Sequence, residues 1–169
     1  CNPLPIQLPI GQADTFKGCF DLVSMKSIIW LGSEMGAKFE VTDDIPEGME
    51  ELVEEYRAKL IETAVEQDEE ALEAYLETGE EPDVATLKKC IRKGTLSFSI
   101  VPVPCGTAFK NKGVQPLLDA VIDYLPSPLD VGEVKGKNPK DEEEVLIRKC
   151  DDSDKFSGLA FKVAADPYI

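Results

Sequence analysis

The sequence predicts a mixed α/β protein, and three features carry that prediction. Residues 3–42 hold short apolar runs cut by Gly and Pro, as short strands do. Residues 47–93 switch to a helical period. Residues 96–125 read as a buried strand, a Gly-containing turn and an amphipathic helix, the pattern of a parallel-sheet unit. With 169 residues, 43% of them apolar, the chain is long enough to bury a core and amounts to about one domain.

Each element follows from its residues. Ile6, Leu8 and Ile10 alternate with Pro5, Gln7 and Pro9, which predicts an extended, edge-type strand. Further strands are expected at Cys19–Val23, Ser27–Leu31 and Lys38–Val41, with turns at Gly32-Ser33-Glu34 and Met35-Gly36. Met49, Leu52, Val53, Tyr56, Leu60 and Ala64 recur at helical spacings and predict one amphipathic helix. Asp68 caps a second helix that runs through Leu76 and ends at Gly79; Pro82-Asp83 open a third that stops at Gly94. Leu96–Val103 is nearly all apolar and predicts a strand buried on both faces. After the turn Cys105–Gly113, Val114, Leu117, Leu118, Val121, Ile122 and Leu125 form one helix face, closed by Pro126-Ser127-Pro128. Residues 131–142 read as loop, and Glu144–Arg148 and Phe156–Val163 as strands.

Charge narrows the function. There are 33 acids, 18 bases and no histidine, giving a net charge of −15. That argues against a binder of nucleic acid or anionic membrane. No apolar run reaches the length of a membrane helix, and no signal peptide opens the chain. The chain begins at Cys1 rather than Met and ends Asp166-Pro167-Tyr168-Ile169, so both ends read as cut. Five cysteines with no C-x-x-C pair point to reduced thiols in a cytosolic protein rather than a zinc or disulfide framework. Residues 47–83 carry 15 acids and two bases, whereas 84–118 carry six bases and no acid. Neighbouring segments of opposite sign imply internal pairing or two distinct outward surfaces.

Catalytic chemistry is missing from this stretch. The sequence contains no G-x-x-x-x-G-K-[ST] phosphate loop and no G-x-G-x-x-G. Asn111-Lys112-Gly113-Val114 is only superficially like the guanine-reading N-K-x-D, because Val114 replaces the Asp. Glu54/Glu55 and Glu69/Glu70 read as solvated helix surface rather than acid–base pairs. Cys105 has no histidine to activate it, so a structural or backbone role is expected. No catalytic residue and no metal ligand is assigned.

The run Cys105-Gly106-Thr107-Ala108-Phe109-Lys110-Asn111-Lys112-Gly113-Val114-Gln115, followed by Leu117-Leu118-Asp119-Ala120-Val121 and Asp123-Tyr124-Leu125-Pro126-Ser127-Pro128, closely resembles the elongation factor G family, the translocase GTPases of the ribosome. Pro5–Gly11, Phe16-Lys17-Gly18 and Glu54–Glu62 match the same family in the same order. Release factor 3 and ribosomal-protection proteins are the alternatives within the class, and the blocks at 105–115 and 123–128 favour the elongation factor. The resemblance implies a fold: the C-terminal half of a P-loop GTPase domain with an inserted α+β subdomain, followed by the first strands of a β-barrel. Residues 1–97 then correspond to the inserted subdomain. Residues 98–125 correspond to the last strand, guanine-side loop and helix of the GTPase core, 126–139 to a linker, and 140–169 to the truncated start of the barrel domain.

The resemblance also implies function. The parent would couple GTP hydrolysis to movement of tRNA and mRNA through the ribosome, with GTP or GDP and Mg²⁺ as its cofactors. The chain alone lacks the phosphate loop, switches and N-K-x-D motif, so it is expected to be inactive and to carry no cofactor. Thr107, Ala108 and Phe109 correspond to the guanine-base loop, with the backbone N–H of Ala108 donating to guanine O6 and Thr107 standing where the family has Ser. Glu62, Glu66 and Glu69, spaced i, i+4 and i+7, form an acidic stripe that would dock the basic C-terminal domain of the ribosomal stalk protein; a merely solvated face is the alternative. The expected location is the cytoplasm, or an organellar matrix, with the ribosome as partner and no membrane or direct nucleic-acid contact.

Overall fold

Proline and glycine divide the N-terminal third into short strands. The computed structural model describes residues 2–32 and 36–165, without the side chain of Glu142. Cys1, the expected turn residues Ser33, Glu34 and Met35, and Asp166–Ile169 lie outside the described residues. The chain divides into two units, Cys1–Leu125 and Pro126–Ile169.

In the first unit, β1 (Pro3–Pro5) pairs in parallel with β6 (Val101–Val103), Leu4 opposite Pro102. β2 (Gln7–Ile10), β3 (Gly18–Asp21), β4 (Lys26–Trp30) and β5 (Phe39–Thr42) form an antiparallel sheet in chain order. Register decides which side chains share a face. Leu8 sits opposite Phe20, which sits opposite Ser27, and all three are buried. The other face carries Gln7, opposite Asp21, and Cys19, opposite Pro9. Asp21 turns the β3–β4 connection: its Oδ1 accepts from the N–H groups of Val23 (2.9 Å) and Ser24 (2.7 Å).

Three helices follow: α1 (Glu50–Val65), α2 (Glu69–Thr78) and α3 (Val84–Leu96). The expected caps form. Asp68 accepts from Ala71 N–H and Asp83 from Thr86 N–H, while Gly79 ends α2 at φ 67°. α1 buries Val53, Leu60, Ile61, Ala64 and Val65 in one core with Leu87, Cys90 and Ile91 of α3, with Leu4 and Phe20 of the strands and with Ile6 between β1 and β2. Each large apolar side chain so buried contributes roughly 1.5–3 kcal/mol of transfer free energy. α4 (Val114–Tyr124) packs on α3, where Arg92 donates to the C-terminal carbonyls of Asp123 and Leu125, both at 3.0 Å. The guanidinium thus satisfies acceptors that a helix end leaves open.

Several expectations are corrected. Gly94 does not stop α3. The helix continues to Leu96, and the missing side chain serves packing instead: a Cβ there would lie 2.7 Å from Ile100 Cγ1 and 2.8 Å from Gln67 Cγ. The strand expected over 96–103 shrinks to Val101–Val103, because Leu96 stays helical and Ser97–Ser99 turn the chain, with Phe98 at φ 60°. It is not buried on both faces: Val101 and Val103 are exposed, as are Leu117, Leu118, Val121 and Ile122 of α4. Leu52 also lies outside the buried face of its helix.

The second unit begins with α5 (Pro128–Val131), capped by Ser127 and Asp130, followed by β7 (Val134–Asn138) paired antiparallel with β8 (Asp141–Arg148). Residues 131–142, read as loop from their composition, therefore contain a strand: ladder bonds to β8 override the weak strand propensity of Lys and Gly. The expected strand at Phe156–Val163 does not form. Alternation alone makes no strand without an edge to pair with, and Phe156, Leu159, Phe161 and Val163 are all exposed.

Candidate functional site

The loop between β6 and α4 is built by two glycines packed back to back. A Cβ on Gly106 would lie 2.8 Å from Lys112 O, and one on Gly113 would lie 2.7 Å from Cys105 O. Gly113 also holds φ 88°, which favours glycine. Above this neck Thr107 and Lys112 bond reciprocally, N–H to O at 2.8 Å and 3.1 Å. Ala108–Lys110 form one 3-10 turn, ended by Asn111 at φ 52°. The first N–H groups of such a turn have no acceptor within it, so those of Ala108 and Phe109 are not spent on the turn. Thr107, Ala108 and Phe109 are thus brought together at the tip, where Phe109 is 99% exposed.

The loop is held from the strand side. Gln7, itself buried, accepts from Cys105 N–H at 3.3 Å through Oε1. Gln115 Nε2 donates to Gly36 O at 3.0 Å, and a Cβ on Gly36 would lie 1.8 Å from Asn111 O. Gln7, Gly36 and Gln115 are positioning residues that the sequence does not single out. Gly36 and Gln115 are 79 positions apart, and nothing local signals that they meet.

The acidic residues separate. Glu62 lies on α1, Glu66 is its C-terminal cap and Glu69 opens α2. The i, i+4, i+7 stripe is therefore not one helix face, because Asp68 ends the first helix by capping the next. All three glutamates are exposed, and none has an ion-pair partner among the described residues. Some of the other charges in the region are paired internally. Glu55 pairs with Lys59 and Glu81 with Arg57, while Lys88 binds Asp123 at 2.7 Å. Lys89 and Lys93 both reach Asp68 Oδ2 at 3.3 Å. Internal pairing thus accounts for much of the basic segment.

Asp68 gives this network a pH signature. The Ala71 N–H, with Lys89 and Lys93 behind it, holds its carboxyl below the ordinary carboxylate value against the effect of desolvation. A depressed folded-state value stabilises the fold fully above the unfolded value, and that stabilisation is lost as pH falls through the folded value. Asp68→Asn keeps the cap and removes the charge. Its melting temperature should lie below that of the parent chain at about pH 7, and the gap should close toward about pH 3. Thermal melts across that range check it; a gap unchanged by acid would contradict it.

The sequence presents Arg57 only as a base, yet it is buried on α1. Its Nη1 donates to Leu22 O (2.5 Å) and Val23 O (3.1 Å), while Nε and Nη2 hold Glu81 Oε2 at 3.1 Å and 2.9 Å. A signal exists: Arg57 falls at i+4 from Val53 and i−3 from Leu60, on the apolar face.

Together these features define a mixed α/β unit in which a glycine-necked strand-to-helix loop leans on an antiparallel sheet with a three-helix cover. No family model matches the chain. Over 168 residues the chain is 55% identical to elongation factor G from Ruegeria sp. (strain TM1040), covering 98% of this chain and 24% of that protein. A crystal structure of ttk003000868 from Thermus thermophilus is similar in fold, with a TM-score of 0.65 and 30% identity over 81% of this chain and 19% of that one. The chain corresponds to a segment of translation elongation factor G and spans about a quarter of its curated relative's length. Among the described residues no helix is long and apolar enough to cross a membrane.

Proposed function

We propose that this chain supplies the guanine-reading side of a GTP site in a ribosomal translocase, together with a subdomain that docks on the ribosomal stalk. The observation that carries the reading is the loop Thr107–Lys112, closed on itself while leaving the Ala108 N–H free of turn bonds. A fixed N–H donor suits guanine O6, an acceptor, and opposes the amino donor that adenine presents there. The phosphates and Mg²⁺ would be held by motifs this sequence does not contain, and hydrolysis of GTP held there would supply the free energy of the step. What this chain contributes is orientation and selection of the base. Residues 1–97 serve as the inserted subdomain, 98–125 as the end of the GTPase core, 126–139 as the connection and 140–169 as the start of a barrel domain, in a cytoplasmic protein that works on the ribosome.

The test uses the full-length factor that carries this segment. GDP should bind more tightly than the diphosphate of 2-aminopurine riboside, which lacks O6. Equal affinities would remove the base-reading role.

Docking is supported by a separate observation, the exposure of Glu62, Glu66 and Glu69 without ion-pair partners among the described residues. Such a surface accelerates encounter with a basic domain and weakens with salt. Calorimetric titration of the stalk C-terminal domain into this chain should give salt-sensitive binding that the Glu62/Glu66/Glu69→Lys variant loses. No binding at low salt to a folded sample would leave these residues as solvated surface.

A further inference from the structure

The neck of the loop is held by one side-chain amide. The parallel ladder of β1 and β6 steps by two residues along each strand, from Val101 N–H on Asn2 O (2.9 Å) to Ile6 N–H on Val103 O (3.1 Å). Its next donor would be the Cys105 N–H and its next acceptor Ile6 O. That carbonyl is already taken, because Leu22 N–H bonds to it at 2.9 Å. Gln7 Oε1 accepts the Cys105 N–H in its place, at 3.3 Å. Gln7 is 5% exposed, and the other end of its amide, Nε2, donates to Asp21 Oδ2 at 3.5 Å.

We propose that Asp21 and Gln7 are positioning residues for base reading: Asp21 fixes which end of the Gln7 amide faces Cys105, and so sets where the loop presents the Ala108 N–H. This rests on the guanine-reading role proposed above. A side-chain amide accepts at one end and donates at the other, whereas a carboxylate only accepts. With Asp21 Oδ2 on one side, Nε2 must face it and Oε1 must face Cys105. The reverse orientation would set the amide NH₂ against the Cys105 N–H and the amide oxygen against the carboxylate. A donor in a largely buried setting would then lack an acceptor.

Asp21 is itself held in place. Its Oδ1 takes three donors of the β3–β4 turn: the N–H groups of Val23 and Ser24, and the Ser24 hydroxyl at 3.0 Å. Arg57 in turn grips the Leu22 and Val23 carbonyls of that turn. A line of hydrogen bonds therefore runs from α1 through the turn and Gln7 to the neck of the loop.

Exchanging the polarity of the pair tests this. In Asp21→Asn the three turn donors keep the amide oxygen on their side, so the new NH₂ faces Gln7 and favours the reversed amide. Gln7→Glu sets two carboxylates face to face. In the full-length factor each single variant is expected to lower the preference for GDP over the diphosphate of 2-aminopurine riboside by about 10-fold. The double variant Gln7→Glu/Asp21→Asn restores a donor facing an acceptor at both contacts, since a carboxylate at position 7 accepts from the Cys105 N–H and from the amide at 21. It should return the preference to within about threefold of the parent, a rescue that general destabilisation does not produce. Hydrogen exchange of the Cys105 amide in this chain, followed by NMR, should quicken in each single variant and slow again in the double. Asp21→Asn, which is isosteric, carries the comparison if Gln7→Glu alone fails to fold. Single variants that keep the parent preference, or a double variant no better than the weaker single, would overturn the proposal. If the unaltered factor itself shows no preference for GDP, the base-reading role fails, and the exchange pattern alone upholds or overturns the positioning of the loop by Asp21 and Gln7.

Discussion

Ala108→Pro in the full-length factor is expected to lower affinity for GDP by about 10- to 100-fold while leaving affinity for the 2-aminopurine diphosphate nearly unchanged. The substitution deletes one hydrogen-bond donor and little else. Ala108 opens a 3-10 turn, a conformation whose ordinary φ proline can adopt. Thr107 before it sits at φ −128° and ψ 104°, in the extended region that a residue preceding proline prefers. The Thr107–Lys112 bonds that close the loop do not involve the Ala108 N–H. Loss confined to the ligand bearing O6 therefore identifies the lost hydrogen bond, whereas equal loss for both ligands points to a displaced loop. Unaltered GDP binding would show that another group reads the base.

Arg57→Ala is expected to destabilise the first unit by about 2–3 kcal/mol, because hydrogen bonds to a charged group are lost in a buried setting. At this chain length that is a fall in melting temperature on the order of 5–10 °C. The Leu22 and Val23 carbonyls lose their guanidinium donor at the turn between β3 and β4. Arg57→Lys should recover only part of the loss, since one ammonium cannot span two carbonyls and the Glu81 carboxylate as a planar fork does. Glu81→Gln should cost less than about 1 kcal/mol, because the Glu81 side chain is 58% exposed and its pair with Arg57 is partly screened. Melts of the three variants rank these effects. An Arg57→Ala chain that melts with the parent would mean that the carbonyls find other donors.

The contrast between these two sites explains what the sequence made legible. The helices and their caps could be read because their causes are local. Asp68, Asp83 and Gly79 act within a few residues of their own positions. The loop at 106–113 could be read because its glycines and flanks carry a family resemblance. What escaped was long-range: Arg57 on the Leu22–Val23 carbonyls, Gln115 on Gly36 and the Cys105 N–H on Gln7 join segments that no periodicity connects. Two errors share another cause. Phe156–Val163 alternates as a strand should yet pairs with nothing, and Val134–Asn138 has poor strand composition yet pairs with β8. Strand formation is settled by an available edge, which a one-dimensional pattern does not encode. The acidic stripe failed in the opposite way: a spacing that looked continuous crosses a helix boundary at Asp68.

The parallel pairing of β1 with β6 has a consequence for the long excursion of chain between them. Val101 N–H bonds to Asn2 O and Ile6 N–H to Val103 O, so the chain that leaves at the end of β1 re-enters beside its start and runs alongside it. An excursion of nearly a hundred residues thus begins and ends on neighbouring strands. The entropy of closing so long a loop grows only logarithmically with length, so lengthening the excursion costs little. Remodelling it asks of the closing strands only that β1 and β6 stay side by side. The same seam ties every change in the excursion to the register of β6, and through it to the loop that β6 delivers.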